Sequence, residues 1–265
     1  MKNVVEIHID NHIADVRLNR PEKMNALNED MFQSIIRATD ELSKNDSIRA
    51  IVLSGNGRAF CAGLDLSNFS PDSDSGFNDI TKRTYGIANK WQTVAYAWRE
   101  LPVPVIAAVH GIAFGGGLQI MLGADIKYIA PDTRLSVMEM KWGLVPDMAG
   151  FVLMKGNVRD DIFRELTYTN KEFSGSQAVD YGFATHTSTD PHSDAMQTAR
   201  LIASKSPSAI VKAKNLLNKT PYLDVADILM MESKEQQDII GKKNQMEAVF
   251  ASMQKRPGNF EDYRD

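Results

Sequence analysis

The chain has 265 residues, 43% of them hydrophobic, so it is long enough to bury a large core in one domain, with or without an appendage. A formal net charge of −4 gives no sign of a nucleic-acid-binding face, and no apolar run approaches the ~18 residues of a membrane-spanning helix. The single cysteine, Cys61, excludes an intrachain disulfide, and the N-terminus lacks the apolar segment of a signal peptide. We therefore expect a cytoplasmic protein that binds neither nucleic acid nor membranes.

The first half of the chain alternates predicted strands and helices. Short apolar or alternating segments predict strands over residues 4–9, 13–18, 50–53, 104–109, 126–129 and 135–137. Asn11 joins the first two strands in a hairpin-type turn, and Asn28 is the predicted N-cap of the first helix. The Ser-, Asp- and Gly-rich segment 67–80 predicts a mobile loop of the kind that gates ligands, and residues 81–100 predict a helix.

The last third of the chain is helical in pattern. Helices are predicted over residues 148–168, 174–181, 191–204, 206–219 and 224–254. An alternating first part followed by helices indicates an α/β core with a helical C-terminal region.

Three consecutive glycines, Gly115 to Gly117, follow the strand predicted over 104–109. Glycine leaves the backbone bare, so a ligand can approach its amide groups closely. The apolar run after the triplet predicts a helix, whose free N–H groups and dipole favour a developing negative charge. This is the chemistry of an oxyanion hole. The alternative interpretation is a tight turn between a strand and a helix.

Several motifs in a fixed order are similar to one known family. They occupy residues 19–27 (NRPEKMNAL), 57–66 (GRAFCAGLDL), 110–125 (HGIAFGGGLQIMLGAD), 173–182 (FSGSQAVDYG) and 206–214. On these residues the chain resembles the crotonase (enoyl-CoA hydratase/isomerase) superfamily, nearly from end to end. The resemblance implies a ββα spiral core over 1–190 that binds acyl-CoA, and a helical trimerisation region over 191–265. It also implies a homotrimer or a dimer of trimers.

The resemblance carries a candidate site onto this chain. In the family two backbone N–H groups hold the thioester oxygen, and by position they belong to Ala62 and Gly116 here. Losing one such donor typically costs on the order of 3 kcal/mol. The two glutamates of the hydratases fall at Gln119 and Glu139, so one acid of the pair is missing. Gln119 can orient water or a carboxylate but cannot exchange a proton, unless it is merely a polar residue on a helix face.

Glu139 and Asp147 are the two acidic candidates. Glu139, set among apolar neighbours, should have a raised pKa, as a proton carrier needs; alternatively it is an exposed glutamate paired with Lys141. Asp147 stands where hydratases usually have glycine, and its spacing from Glu139 resembles that of dienoyl-CoA isomerases. Those isomerases carry aspartate at the position of Gln119, so the match is partial. Asp147 could instead cap a helix that begins at Met148.

The remaining candidates concern coenzyme A, which enters as part of the substrate. The resemblance places its contacts at Lys23, Met24, Ala26, Arg58, Ala62, Asp65, Leu66, Phe250 and Lys255. No cofactor is implied, and the histidines show no metal-ligand spacing. Cys61 has no local base and is interpreted as a small buried thiol.

Three functions remain open at this point. The leading one is a double-bond isomerase that shifts 3-enoyl to 2-enoyl or 3,5-dienoyl to 2,4-dienoyl thioesters through an enolate. The second is enoyl-CoA hydration, in which Glu139 activates water that Gln119 orients. The third is an acyl-CoA-binding homologue without turnover, a possibility that Gln119 raises and that the two acids oppose.

Overall fold

The computed structural model describes residues 3–69 and 79–263. Of the loop predicted over 67–80, residues 70–78 lie outside the described residues. Residues 67–69 are not loop but part of a short 3₁₀ helix, Leu66–Phe69.

The strands form two sheets. In chain order they are β1 (Val5–Asp10), β2 (Ile13–Leu18), β3 (Ala50–Gly55), β4 (Val105–Val109), β5 (Ile112–Phe114), β6 (Ile126–Ile129), β7 (Arg134–Ser136), β8 (Phe173–Ser174) and β9 (His186–Thr187). The larger sheet has the order β1-β2-β3-β4-β6-β9, in which only the β1–β2 pair is antiparallel. The smaller sheet has the order β5-β7-β8. Asn11 and His12 join β1 to β2 with φ of 48° and 65°, the left-handed conformation of a tight hairpin.

Helices cover both faces of the larger sheet. They are α1 (Glu29–Ser43), α2 (Lys90–Glu100), α3 (Gly116–Leu122), α4 (Gly150–Met154), α5 (Asp160–Thr169), α6 (Gly175–Tyr181), α7 (Pro191–Ala203), α8 (Pro207–Lys219), α9 (Val225–Ile239) and α10 (Lys243–Met253). The Asn28 side chain accepts from the N–H group of Met31, which confirms the predicted cap.

Strand β3 shows how the core is divided. Ile51 and Leu53 face the main hydrophobic cluster, whereas Ala50 and Val52 face α7. The buried alanines of α7, including Ala195 and Ala199, let that helix lie close to the sheet. Because parallel strands are buried on both faces, β3 has a continuous apolar sequence rather than an alternating one.

Three of the predicted helices differ in the structure. The helix predicted over 81–100 begins only at Lys90, because Asn89 and Gln92 form a capping box there. The segment 148–168 is two helices, α4 and α5, with Gly156 between them at φ 82°. The segment 224–254 is also two helices, α9 and α10, separated by Gly241 at φ 75°. A left-handed glycine ends a helix and redirects the chain.

The C-terminal helices leave apolar side chains uncovered. Helix α9 buries none of its residues, and Val225 at its start is 73% exposed. Phe250 and Met253 on α10 are exposed as well. None of the helices within residues 3–69 and 79–263 is both long enough and apolar enough to cross a membrane.

Candidate active site

Asn25 joins two of the sequence motifs. Its side chain is fully buried and donates to the backbone carbonyls of Ala59 and Phe60 at 2.9 and 3.1 Å. Its Oδ1 accepts from the N–H group of Arg20 at 2.8 Å. A buried amide with this many partners fixes the segment 19–27 against the segment 56–60.

The segment 59–65 lies beside β5 and the start of α3. Cys61 pairs with Ala113 in a parallel bridge, and the N–H group of Phe114 donates to the Cys61 carbonyl at 3.1 Å. Gly63 has φ of 87°, and a β-carbon there would lie 2.6 Å from the Phe114 carbonyl oxygen and 3.6 Å from the amide nitrogen of Gly116. Glycine therefore allows this segment to approach the glycine triplet.

The structure corrects the predicted pair of backbone donors. The N–H group of Ala62 donates to the Met24 carbonyl at 2.9 Å, so it is already used. Two residues on, Leu64 forms a parallel bridge with Leu27 in which the N–H groups of Leu27 and Asp65 donate. Among the hydrogen bonds of the described residues, the N–H groups of Leu64 and Gly116 donate none. The N–H groups of Gly117 and Leu118 in the first turn of α3 donate none either, so Leu64 and Gly116 are among the available donors beside the triplet.

Gln119 is buried, with 2% of its surface exposed, and every polar atom of its side chain has a partner. Its Oε1 accepts from the N–H groups of Met148 and Gly150 at 3.0 and 2.8 Å. Its Nε2 donates to Oε1 of Glu139 at 2.6 Å. Gln119 is therefore neither a free acid–base group nor a residue on an exposed helix face; it links Glu139 to residues 148–150.

Glu139 begins a short 3₁₀ helix, Glu139–Trp142, and its carboxyl adjoins the triplet. A β-carbon on Gly115 would lie 3.3 Å from its Oε1. Its Oε2 is buried and has no hydrogen-bond partner among the described residues. Burial raises the pKa of this carboxyl, and the charge of Asp147 raises it further. Lys141 instead lies over the Trp142 ring at 5.5 Å, so the alternative pairing with Glu139 is wrong.

Asp147 is half-buried and does not cap a helix. Helix α4 begins at Gly150 after Ala149, whose φ is 69°, and no side chain caps it. Burial raises the pKa of the Asp147 carboxyl. Because the charge of Asp147 also acts on Glu139, the two carboxyls lie within reach of each other's field. Two acids with raised pKa values at one site are typical of proton-transfer catalysis.

An apolar cavity of about 260 Å³ adjoins Asp147. Its lining residues come from the start of α2 and from the segment around α4: Ile87, Ala88, Gln92, Tyr96, Pro146, Asp147, Ala149, Phe151 and Val152. Two larger cavities, of about 370 and 440 Å³, lie against α7 and between α8 and α10, and contain none of the candidate acids. No local sequence pattern predicts this lining, because its two segments lie about 50 residues apart in the chain.

The predicted coenzyme A residues fall into two groups. Lys23, Met24, Ala26 and Arg58 lie on the two segments that Asn25 joins, and Leu66 begins the 3₁₀ helix that follows; Lys23, Arg58 and Leu66 are exposed. Asp65, from the same group, is already paired with Arg20 at 2.5 Å. Phe250 lies on α10 and Lys255 just beyond it, and neither lines the cavity beside Asp147.

Cys61 is a structural thiol. It is fully buried, its Sγ donates to the Asn25 carbonyl at 3.1 Å, and burial raises its pKa to about 12. A thiol with so high a pKa is not a nucleophile at neutral pH.

The family model described as enoyl-CoA hydratase/isomerase matches residues 8–263. The chain belongs to the enoyl-CoA hydratase/isomerase family. It is 31% identical to the mitochondrial Delta(3,5)-Delta(2,4)-dienoyl-CoA isomerase of Mus musculus, over 92% of this chain and 77% of that protein. It is 30% identical to the peroxisomal isomerase of the same name from Arabidopsis thaliana, over 97% and 95%.

A solved structure supports the same family. The enoyl-CoA hydratase of Mycobacterium smegmatis matches with a TM-score of 0.86 and 26% identity, over 97% of this chain and 99% of that one. The α/β crotonase fold with C-terminal helices, implied by the sequence motifs, is therefore confirmed. Members of this enoyl-CoA hydratase/isomerase family include both isomerases and hydratases, so membership alone does not decide between the two reactions.

Proposed function

We propose that this member of the enoyl-CoA hydratase/isomerase family is a double-bond isomerase that converts 3,5-dienoyl-CoA to 2,4-dienoyl-CoA thioesters. The observation that carries the proposal is the pair of carboxyls of Glu139 and Asp147. Both have raised pKa values; Glu139 lies beside the glycine triplet and Asp147 lies on the wall of the apolar cavity. The dienoyl-CoA isomerases among the relatives support the same reaction.

The thioester oxygen is held by the N–H groups of Leu64 and Gly116. Both N–H groups lie at or beside the triplet, and neither donates to a carbonyl of the described residues. They stabilise the negative charge that the oxygen acquires as the enolate forms. This position places C2 of the acyl group next to Glu139, whose Oε1 adjoins Gly115.

The reaction moves one proton away from C2 and delivers another to C6. Glu139 removes the C2 proton, and the electron pair of that C–H bond enters the conjugated system as an enolate. Protonation at C6 by Asp147, on the wall of the apolar cavity, then leaves double bonds at C2 and C4. The reaction is redox-neutral, and coenzyme A takes part only as the carrier of the substrate.

Hydration is the second candidate, since Glu139 alone could activate water and a related structure is a hydratase. It is disfavoured because the Gln119 amide is bound on both sides and cannot exchange a proton. A 3-enoyl to 2-enoyl shift by Glu139 alone is the simpler isomerase reaction. The third candidate, binding of acyl-CoA without turnover, is disfavoured because a pure binding site does not need two acids with raised pKa values.

The assembly and the coenzyme A contacts complete the proposal. Lys23 and Arg58 are exposed and carry positive charge, which suits the phosphates of the nucleotide part. The uncovered apolar residues of α9 fit a homotrimer or a dimer of trimers. A cytoplasmic location stays a prediction.

A product assay with three thioesters tests the proposal. Purified protein is incubated separately with 2-enoyl-, 3-enoyl- and 3,5-dienoyl-CoA, and the products are separated and identified by mass and by ultraviolet absorbance. We expect rapid formation of the conjugated 2,4-dienoyl thioester. A 3-hydroxyacyl product from the 2-enoyl ester, with the dienoyl ester unchanged, would make the protein a hydratase. Tight binding of all three esters without any product would make it a non-catalytic homologue.

A further inference from the structure

The Gln119 amide has one possible orientation. Two backbone N–H groups, those of Met148 and Gly150, converge on one of its terminal atoms. That atom must be the oxygen, because an NH₂ group cannot accept from two donors. The NH₂ group is therefore turned toward Glu139 and donates to its Oε1 at 2.6 Å.

This orientation makes the two oxygens of Glu139 different. Oε1 already accepts a hydrogen bond from a permanent donor, and a proton on Oε1 would weaken that bond. Oε2 is buried and has no partner among the described residues. We propose that Gln119 is a positioning residue that confines the exchangeable proton of Glu139 to Oε2 and so aims this single oxygen at the substrate carbon. The inference rests on the proposed function, because it specifies which atom performs the proton transfer there.

The neutrality of Gln119 is part of the same role. Asp147 is the charged side chain whose field raises the pKa of Glu139, and it is the only one with such an effect among the described residues. A carboxyl at position 119 would place a second acid in contact with Glu139, and two carboxyls so close cannot both ionise. The amide instead favours the ionised base through its hydrogen bond.

Gln119 also connects the two acids. Its Oε1 holds the backbone directly after Asp147, while its Nε2 holds Glu139. One side chain on α3 therefore fixes the spacing between the base and the acid of the proposed reaction.

Two variants of the full chain test the proposal. Gln119→Met keeps the length of the side chain and removes both its donor and its acceptor. Gln119→Glu keeps an oxygen for the N–H groups of Met148 and Gly150 and replaces the donor by a second acid. The matched control is Gln33→Glu on α1, where the Gln33 Nε2 donates to Glu29 in the same way, but on the surface, at 2.9 Å.

The first readout needs no substrate. Carboxyl protonation is followed by infrared spectroscopy against pH, and the Glu139 band is assigned by its loss in Glu139→Gln. We expect the Glu139 titration to move to higher pH in both Gln119 variants, with two coupled steps in Gln119→Glu, and to stay unchanged in Gln33→Glu. An unchanged titration in either folded Gln119 variant would overturn the proposal, whatever the activity.

The second readout is the rate against pH with 3,5-dienoyl-CoA. We expect kcat of Gln119→Met to fall about 10- to 100-fold, as loss of a hydrogen bond to a charged group implies, while KM changes little. The rising limb of the Gln119→Glu profile should move to higher pH. Equal kcat and unshifted profiles would contradict the positioning role. A wild-type protein without isomerase activity but with the expected infrared shifts would remove the proposed function and keep the effect of Gln119 on Glu139.

Discussion

The two ends of the candidate site are built in opposite ways. At the thioester end, beside Gly115, polar atoms are fixed: Gln119 uses both its donor and its acceptor, and the backbone around the triplet is held by close contacts. At the acyl end, Asp147 lies in an apolar wall that includes Phe151 and Val152, and its own backbone is the one hydrogen-bond donor to its carboxyl within residues 3–69 and 79–263.

The difference follows from what each end has to do. In the proposed reaction, charge develops at the thioester oxygen, and preorganised donors stabilise charge best if they do not have to move. An acyl chain proposed to bind in this cavity carries no charge, so we expect shape and apolar area to select the substrate there. A single acid in such surroundings keeps a raised pKa and can deliver a proton far along the chain.

Neutralising the base at the thioester end should have the largest effect. Glu139→Gln preserves the shape of the side chain but removes its proton exchange, so kcat for 3,5-dienoyl-CoA should fall about 1,000-fold. Steady-state kinetics measure it, with the surface variant Glu165→Gln, which should keep full activity, as the control. A fall of less than about tenfold would show that Glu139 is not the base.

Neutralising the acid at the acyl end should separate the two isomerase reactions. Asp147→Asn should slow the 3,5-dienoyl reaction about 100-fold, because protonation at C6 loses its donor. The 3-enoyl to 2-enoyl shift, which needs only Glu139, should change less than about threefold. Parallel assays of both substrates measure the ratio of the two rates. Equal losses on both substrates would place Asp147 beside C2 rather than C6.

A larger side chain in the cavity beside Asp147 should change the selectivity for acyl chain length and leave kcat unchanged. Val152→Phe occupies part of the cavity wall, and each methylene that can no longer be buried costs about 0.8 kcal/mol. For a long acyl chain that loses two methylenes from the cavity, KM should rise about tenfold. A short-chain thioester, whose KM should stay constant, is the internal control. A rise in KM for both chain lengths would indicate that Val152 lines the path of the thioester instead.

The smallest expected effect is on stability and has a defined pH dependence. Glu139 has a raised pKa in the folded protein, so the folded state binds this proton more tightly than the unfolded state. Its contribution to stability is therefore most favourable at low pH and is lost as pH rises through the raised pKa. Glu139→Gln removes this loss, so its Tm should exceed that of the wild type by a few degrees near pH 8 and by less near pH 4. Thermal melts at the two pH values measure it, and a gain that is larger at the lower pH would contradict the direction of the shift.

Most of the fold could be predicted from the sequence, because buried strands and helix caps have local signals. The strand Ile13–Leu18 and the cap at Asn28 are examples. The helices around Gly156 and Gly241 were merged, since apolar spacing continues across a glycine whose left-handed conformation is visible only in the structure. The strand Ile112–Phe114 was missed because it is only three residues long and pairs with distant segments.

The site was predicted in part. The structure brings Gly116, Gln119 and Glu139 close together, and their roles in catalysis stay predictions, whereas the N–H group of Ala62 is already bonded to Met24. The pairing of residues 61–65 with Met24 and Leu27 decides which N–H group stays available. The motif alone does not predict this pairing, because the partners lie about 40 residues earlier in the chain. Similarly, Pro146-Asp147 suits a helix cap locally, and only the start of α4 at Gly150 leaves Asp147 to another role.

Isotope tracing tests most directly the claim that two acids act at the two ends of one diene. Wild-type protein is equilibrated in D₂O, given 3,5-dienoyl-CoA for less than one turnover, and the product is analysed by NMR. The half-buried Asp147 carboxyl exchanges with solvent before substrate binds, so we predict deuterium at C6 of the 2,4-dienoyl product. Protium transferred from C2 to C6 would show that one base carries the proton along the chain. That result would contradict the two-acid mechanism.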